Sequence, residues 1–242
     1  MPGMTMTQAA LTEKSDRQAP GASTAAVRRT MVERQLRPFD VTDLPILERV
    51  LDVPREAFLP ADLAPLAYSD MAIVLKDGAG KARGLLPPLV LARLLQGADI
   101  RPGDRVLEIG GAGYAAALLS GLCAETVSLE CDAALAKSAE EGLAAVGASA
   151  KVVVGPLEKG VPDAAPFDAI LVLGAVEDGL DALFGQLAPN GRLLAVTAAP
   201  VTGSSQVVRY ERHAGLAAGE RALFDAAARV LPGFAREPAF AL

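Results

Sequence analysis

The segment that decides the fold is Val106-Leu-Glu-Ile-Gly-Gly-Ala-Gly113, which Tyr114-Ala-Ala-Ala-Leu-Leu119 follows directly. A short hydrophobic run enters a glycine-rich turn, and a helix-forming segment begins immediately after it. The glycines allow the backbone to approach a ligand closely, and the N-terminus of the helix presents N–H groups without intrahelical partners. This order predicts a strand, a nucleotide-binding turn and a helix in an α/β sheet.

Two acidic residues next to this turn indicate which ligand it binds. Glu130 follows Gly110 by 20 residues, at the end of the next predicted strand, where a carboxylate accepts both ribose hydroxyls. Gly111-Ala-Gly113-Tyr-Ala-Ala116 also satisfies a dinucleotide fingerprint, and a tight turn without ligand is the simplest alternative. Glu108 favours the E-x-G-x-G-x-G element of methyltransferases, whose acid lies near the methionine amino group. The candidate cofactor-binding residues here are Glu108, Gly110, Gly111, Gly113 and Glu130.

The rest of the chain alternates short β-forming runs with helical segments. This alternation predicts an α/β, doubly wound, mostly parallel sheet of Rossmann-like type. The predicted strands are residues 105–109, 126–130, 151–155, 168–173 and 192–197. The predicted helices between them are residues 114–124, 132–146 and 180–187. Residues 206–212 and the run around 216–223 predict a closing antiparallel pair.

The N-terminal part divides into a tail and a helical cap. Residues 1–24 are polar and weakly patterned, which predicts a flexible tail, and residues 25–242 then form a single methyltransferase-like domain. Within it, residues 25–84 form a cap and substrate loop, and residues 85–242 form the nucleotide-binding core. Helices are predicted at 25–36 and, capped by Thr42, at 42–52. Residues 54–84 are expected to be irregular, with a short strand at 71–75.

Composition and charge exclude several classes of function. The formal charge of −6 opposes binding to a nucleic-acid backbone. The two cysteines, Cys123 and Cys131, and the single histidine give neither a disulfide framework nor a metal-ligand set. No signal peptide or membrane-spanning run is apparent, so we expect a cytoplasmic protein without a metal.

Several ordered motifs resemble those of the protein-L-isoaspartate O-methyltransferase family. They cover most of residues 30–200 and include Met31-Val-Glu-Arg-Gln-Leu-Arg-Pro38, Val53-Pro-Arg-Glu-Ala-Phe-Leu-Pro60 and Leu66-Ala-Tyr68 with Asp70. Pro102–Gly110, Phe167-Asp-Ala-Ile170 and Leu187-Ala-Pro-Asn-Gly-Arg-Leu193 match later motifs. The resemblance implies the methyltransferase fold, S-adenosyl-L-methionine as cofactor, and protein or peptide substrates with isoaspartyl residues.

Three departures from the family pattern lie where the chemistry would occur. The family's G-Q-T-I-S-Q-P loop corresponds to Lys81-Ala-Arg-Gly-Leu-Leu-Pro87, so its two hydroxyl residues are replaced by Arg83 and Leu85. The glycine turn is one residue shorter. The family's Gly-Asp-Gly is Gly155-Pro-Leu157, where Leu157 is placed to pack on the adenine ring. Arg83 is a candidate to hold the substrate carboxylate, and a solvated surface arginine is the alternative.

The sequence therefore leads to a protein carboxyl methyltransferase with reduced or altered activity. A non-catalytic binding protein of the same fold is the alternative, and a nicotinamide-dependent oxidoreductase is a weaker one. The missing hydroxyls motivate the expectation of reduced activity, because they would orient the reactants. The sequence does not determine the oligomeric state.

Overall fold

Helices and strands alternate along the chain as the sequence predicts. The computed structural model of the protein describes residues 20–79, 82–198, 205–212 and 219–236. The helices are α1 (Pro20–Met31), α2 (Leu44–Asp52), α3 (Pro88–Ala98), α4 (Tyr114–Leu119), α5 (Ala133–Ala145) and α6 (Asp181–Phe184). The strands are β1 (Ile73–Lys76), β2 (Ala82–Leu85), β3 (Arg105–Ile109), β4 (Glu125–Glu130), β5 (Lys151–Val154), β6 (Phe167–Val176), β7 (Leu187–Ala198), β8 (Ser205–Glu211) and β9 (Gly219–Asp225).

The main sheet has the order β5-β4-β3-β6-β7-β8-β9. Strands β5, β4, β3, β6 and β7 are parallel, whereas β8 and β9 continue the sheet as an antiparallel pair. The chain builds outward from β3 in both directions, so the strand order reverses between β3 and β6. Ligands of doubly wound sheets bind beyond the carboxyl ends of the strands at such a reversal. The predicted doubly wound, mostly parallel α/β sheet is therefore confirmed.

The central strands are buried on both faces, which explains their nearly continuous apolar sequences. In β3, Val106 packs into a core formed with α2, α3 and α4, while Leu107 and Ile109 pack into a second core on the opposite face. Successive side chains of a strand point to opposite faces, so this short strand contributes Val106 to one core and Leu107 and Ile109 to the other. This double burial fixes the register of β3 and hence the position of the glycine turn that follows.

The N-terminal cap differs from the prediction in its details. Helix α1 begins at Pro20, inside the segment predicted as a tail, and continues as a single π-helical segment, Val32–Leu36. Residues 1–19 lie outside the described ranges. The prediction that Thr42 caps α2 is wrong: the cap is Asp43, whose Oδ1 accepts a hydrogen bond from the Ile46 N–H at 3.1 Å.

Two predicted helices are shorter than expected. Helix α4 ends at Leu119 rather than at residue 124, and Ala124 instead bonds through its N–H to the Asp104 carbonyl. Helix α6 spans only Asp181–Phe184, because the chain joins β7 from Leu187 onward. Apolar residues at both places suit a short helix and a buried strand equally well, so periodicity alone does not separate them.

The segment predicted as an irregular loop contains a β-hairpin. Strand β1 pairs antiparallel with β2, placing Ile73 opposite Leu85 and Leu75 opposite Arg83. Strand β2 was missed because Ala82-Arg-Gly-Leu85 has little intrinsic preference for a strand. Ile73, Leu75 and Leu85 pack against Ala112 of the glycine turn and Leu135 of α5. The hairpin therefore covers the carboxyl end of β3.

Candidate functional site

The turn after β3 adopts a conformation that requires small residues. Gly110 and Gly113 have φ angles of +78° and +91°, and Ala112 between them has a φ of +50°. A Cβ at Gly113 would lie 2.9 Å from the Cα of Ala139 in α5, so a side chain there would push the two helices apart. Ala112 at positive φ is consistent with a turn that is one residue shorter than the family pattern.

Glu108 lies beneath this turn and is fully buried. Its Oε1 accepts a hydrogen bond from the Gly111 N–H at 2.5 Å, and its Oε2 accepts one from the Ser128 hydroxyl at 2.6 Å. Burial raises the pKa of Glu108 to about 7, Ser128 acts in the opposite direction, and neighbouring Glu130 raises it further. Both carboxyl oxygens thus bond within the protein and hold the turn against β4.

Glu130, the predicted ribose-binding residue, forms a buried ion pair with Arg83. The Arg83 Nη2 lies 3.0 Å from Oε1 and 2.9 Å from Oε2, and the two side chains are 5% and 0% exposed. The Ala112 N–H also donates to Oε1 at 3.2 Å. Burial raises the pKa of Glu130, while the Arg83 guanidinium acts in the opposite direction. The interpretation of Arg83 as a solvated surface arginine is therefore wrong.

Arg83 reaches Glu130 because alternate residues of β2 point toward the glycine turn. Arg83 and Leu85 are both buried, whereas Ala82 is exposed and Gly84 is intermediate. The two positions at which the sequence departs from the family loop thus share the inward face of one strand. A second Arg83 nitrogen, Nη1, donates to the Cys131 thiol at 3.2 Å. The hairpin is also held at its other end, where the Gly78 N–H donates to Asp132 at 3.0 Å.

Leu157 occupies a different position from the other predicted cofactor-binding residues. It begins a 3-10 turn after β5 and is fully buried among the apolar side chains of the second core. The preceding Gly155 bonds through its N–H to the Glu130 carbonyl at 2.9 Å, so this turn adjoins the end of β4. Leu157 is thus near the Glu130 backbone, but its side chain packs in the core.

A small cavity lies beside the turn, between the carboxyl ends of β3 and β6. Its volume is about 10 Å³, and its lining includes Arg55, Leu85, Gly111, Tyr114 and Leu173. That is enough for about one water molecule. A ligand with a nucleoside and an amino-acid portion requires a far larger space than this cavity offers.

A larger cavity of about 580 Å³ opens at the ends of β6 and β7, beside β8 and β9. Glu177 and Asp178, which directly follow β6, both line it. Neither caps α6, whose N-cap residue, Leu180, makes no side-chain capping bond. This cavity shares no lining residue with the small one.

Two further observations concern metal sites and membrane-spanning helices. The described ranges contain no group of three His, Cys, Asp or Glu side chains that is suited to a metal ion. No described helix combines the length and the apolar character that crossing a bilayer requires. His213 falls outside the described residues.

Comparisons with known proteins identify the family. The family described as Protein-L-isoaspartate(D-aspartate) O-methyltransferase matches residues 28–222. The chain therefore belongs to the protein-L-isoaspartate O-methyltransferase family. Protein-L-isoaspartate O-methyltransferase of Methylorubrum extorquens (strain PA1) is 39% identical over 197 residues, which are 81% of this chain and 84% of that protein. The corresponding protein of Koribacter versatilis (strain Ellin345) is 39% identical over 184 residues, 75% of this chain and 81% of that protein.

Solved structures show the same fold. A protein-L-isoaspartate O-methyltransferase aligns with a TM-score of 0.74 at 24% identity, over 85% of this chain and 66% of that chain. A structure from Plasmodium falciparum, described as a putative member of the family in complex with S-adenosyl-L-homocysteine, aligns with a TM-score of 0.69 at 16% identity, over 86% and 97% of the chains. S-adenosyl-L-methionine is the cofactor that membership of this family indicates.

The site fits that cofactor in its chemistry but not in its present volume. Glu130 offers a carboxylate at the end of β4, next to backbone N–H groups of a glycine turn at a helix N-terminus, as a ribose and its substituents require. However, Arg83 occupies both oxygens of that carboxylate. Because Glu130 is also fully buried, its carboxylate is not accessible to a ribose while this ion pair is closed.

Proposed function

We propose that this protein is an S-adenosylmethionine-dependent methyltransferase of isoaspartyl carboxylates whose activity is reduced by its own hairpin. The observation that carries this proposal is the buried, two-point ion pair between Arg83 and Glu130. A ligand that uses the Glu130 carboxylate must break this pair before it binds. Part of the binding free energy is then consumed in moving β2, so the affinity for the cofactor is lower than that of an open site.

The proposed roles of the residues follow from their positions. Glu130 accepts the ribose hydroxyls, and the turn from Gly110 to Gly113 brings backbone N–H groups close to the ligand. Glu108 holds the turn from below through Gly111. When bound, the cofactor supplies an electrophilic methyl group to a carboxylate oxygen. The protein's contribution is to align that carboxylate and to exclude water, since a carboxylate needs no strong base to act as a nucleophile.

Alignment is where the loop is deficient. The family's loop carries two hydroxyl residues on the segment that corresponds to β2, as the resemblance of the sequences implies. In this chain Arg83 and Leu85 occupy those two positions. Leu85 packs against Ile73 and Ala112 and offers no hydrogen bond to a reactant. Loss of alignment can lower a rate by about 10²-fold even when both reactants bind.

We expect the double substitution Arg83→Thr with Leu85→Ser to raise both cofactor affinity and turnover. The change frees the Glu130 carboxylate and places hydroxyls on the inward face of β2. Calorimetric titration with S-adenosylhomocysteine measures the first effect. Transfer of a labelled methyl group to an isoaspartyl peptide, expressed per folded protein, measures the second, with a gain of up to about 10²-fold.

Val74→Thr is the matched control, because Val74 lies on the outward side of the same hairpin and is 42% exposed. It introduces a hydroxyl near the site without reaching it, and we expect neither measurement to change. If the double substitution restores cofactor binding but not methylation, the alternative of a non-catalytic binding protein is favoured. If the wild type already equals an authentic family enzyme on the same peptide, reduced activity is excluded.

A further inference from the structure

Arg55 is a buried cation without a carboxylate partner among the described residues. It is 1% exposed, its Nη2 donates to the Leu86 carbonyl at 2.9 Å, and its Nε has no hydrogen-bond partner. The described ion pairs, all within 4.0 Å, do not include it. Its guanidinium lies 5.1 Å from the ring centroid of Tyr114, which supplies only a weak electrostatic partner.

The other buried arginines show how this protein normally satisfies such a charge. Arg83 pairs with Glu130 through both carboxyl oxygens. Arg192 donates to Asp104 at 2.6 Å and also to three backbone carbonyls, which are those of Ala98, Asp99 and Asp168. Isolated buried charges are unfavourable, and guanidinium groups bind carboxylates strongly through two parallel hydrogen bonds. Arg55 is the exception among these three arginines.

The position of Arg55 indicates where its partner comes from. Its side chain lines the small cavity beside the turn, together with Gly111 and Leu173. Gly111 follows β3, and Leu173 lies in the carboxyl half of β6, the strand that pairs with β3. A ligand of a doubly wound sheet binds at this crevice. The Arg55 side chain also bonds to Leu86, directly after β2, so movement of the hairpin would change both the cavity and the Arg55 hydrogen bonds.

We propose that the Arg55 guanidinium is the carboxylate-binding group of this site. The anion has one of two sources, which are the amino-acid portion of the cofactor or the isoaspartyl residue of the substrate. The proposal rests on the proposed function, because it needs a carboxylate ligand at the end of β3. It assigns a role to Arg55, which otherwise stands out only as part of the Val53-Pro-Arg segment.

The test compares two ligands that differ only in the carboxylate. S-adenosylhomocysteine and its decarboxylated analogue, S-adenosyl-3-thiopropylamine, are titrated calorimetrically into the wild type, Arg55→Lys and Arg55→Met. If Arg55 binds the cofactor carboxylate, Arg55→Met loses about 10- to 100-fold in affinity for S-adenosylhomocysteine and little for the analogue. Arg55→Lys keeps the positive charge but lacks the planar guanidinium, so its affinity for S-adenosylhomocysteine is expected to lie between those of the wild type and Arg55→Met.

A second measurement covers the other source of the carboxylate. If Arg55 binds the substrate, both titrations are unchanged in the variants, and the KM for an isoaspartyl peptide rises by about 10- to 100-fold. Arg49→Met is the matched control: Arg49 is partly buried and donates to the Ala117 and Leu118 carbonyls of α4 at 2.8 and 3.3 Å. We expect it to lower thermal stability without changing the ratio of the two affinities or the KM.

The free protein gives a readout that a purely structural role would not produce. Arg55→Met removes an unfavourable buried charge but also the hydrogen bond to the Leu86 carbonyl, and because these effects oppose each other we expect the variant to melt within a few degrees of the wild type. Unchanged ligand discrimination and KM in folded Arg55 variants overturn the inference while leaving the proposed function intact. If the wild type binds neither adenosyl ligand and no isoaspartyl peptide, the proposed function and this inference both fail.

Discussion

Replacement of Arg83 with methionine is expected to lower the free energy of unfolding by about 3–5 kcal/mol at pH 8. The change keeps most of the side-chain volume and removes the charge. Glu130, which is 0% exposed, is left as a buried carboxylate without its partner. The cost of that uncompensated charge exceeds the gain from an intact pair, because both groups have already lost their hydration. Urea unfolding at constant pH measures the effect.

The pH dependence of this loss separates it from a loss of packing. Arg83 favours the ionised form of Glu130, so its removal moves the already raised pKa of Glu130 further upward. At pH 5 the carboxyl of the variant can take up a proton, and the destabilisation is expected to be smaller than at pH 8. Adding Glu130→Gln to Arg83→Met should recover part of the stability at pH 8 for the same reason.

An exposed ion pair provides the control for Arg83. Arg101 pairs with Asp99 at 3.1 Å, and these side chains are 71% and 59% exposed. Pairs of this kind contribute about 0–1 kcal/mol, so Arg101→Met is expected to have a small effect at both pH values. A loss below about 1 kcal/mol in Arg83→Met, or a loss of equal size at pH 5 and pH 8, would contradict the importance of the buried pair.

We expect Glu108→Gln to be more favourable for stability at pH 8 than at pH 5, when the free energy of unfolding of the variant is compared with that of the wild type at each pH. The pKa of Glu108 rises from an ordinary 4.5 to about 7 on folding, because the side chain is fully buried. Protonated Glu108 therefore contributes stability that is complete below about pH 4.5 and is lost as the pH rises through 7. The corresponding free energy is about 3 kcal/mol.

Glutamine preserves the local geometry, which makes the comparison specific. Its oxygen can accept the Gly111 N–H, and its amide can donate to the Ser128 hydroxyl, so both contacts of Glu108 remain possible. We expect the difference in unfolding free energy between variant and wild type to change by about 2–3 kcal/mol from pH 5 to pH 8. Glu125→Gln is the control, because Glu125 is exposed at the start of β4. Parallel pH profiles for wild type and Glu108→Gln would refute the assignment.

The sequence predicts the central sheet well because the physical cause is local. Residues 105–109 form β3 with the predicted bounds, since Val106, Leu107 and Ile109 give the strand apolar residues for both faces and the glycine turn ends it. The antiparallel pair β8 and β9 is also confirmed, within one to three residues at its ends, although most of its side chains are not buried. Local patterns of this kind need no knowledge of distant partners.

The site is less predictable because its decisive contacts are not local. Glu130 is found from its spacing, but its partner Arg83 lies 47 residues earlier on a strand that exists only through pairing with β1. The sequence also does not single out Arg55, because the absence of a counterion for its guanidinium can be seen only in the folded structure. Both facts depend on burial, which a charged residue in an unpatterned segment does not reveal.

The Arg83–Glu130 pair constrains the mutational routes by which this sequence and the family loop can interconvert. A single replacement of Arg83 by a hydroxyl residue leaves Glu130 buried without a counterion. A single replacement of Glu130 by a neutral residue leaves the Arg83 guanidinium buried without one. In either case the intermediate protein depends on a bound ligand to compensate the remaining charge. A change at position 83 is therefore expected to be tolerated more readily together with a change at position 130 or in the presence of a ligand, and ligand binding by such an intermediate becomes part of its folding stability.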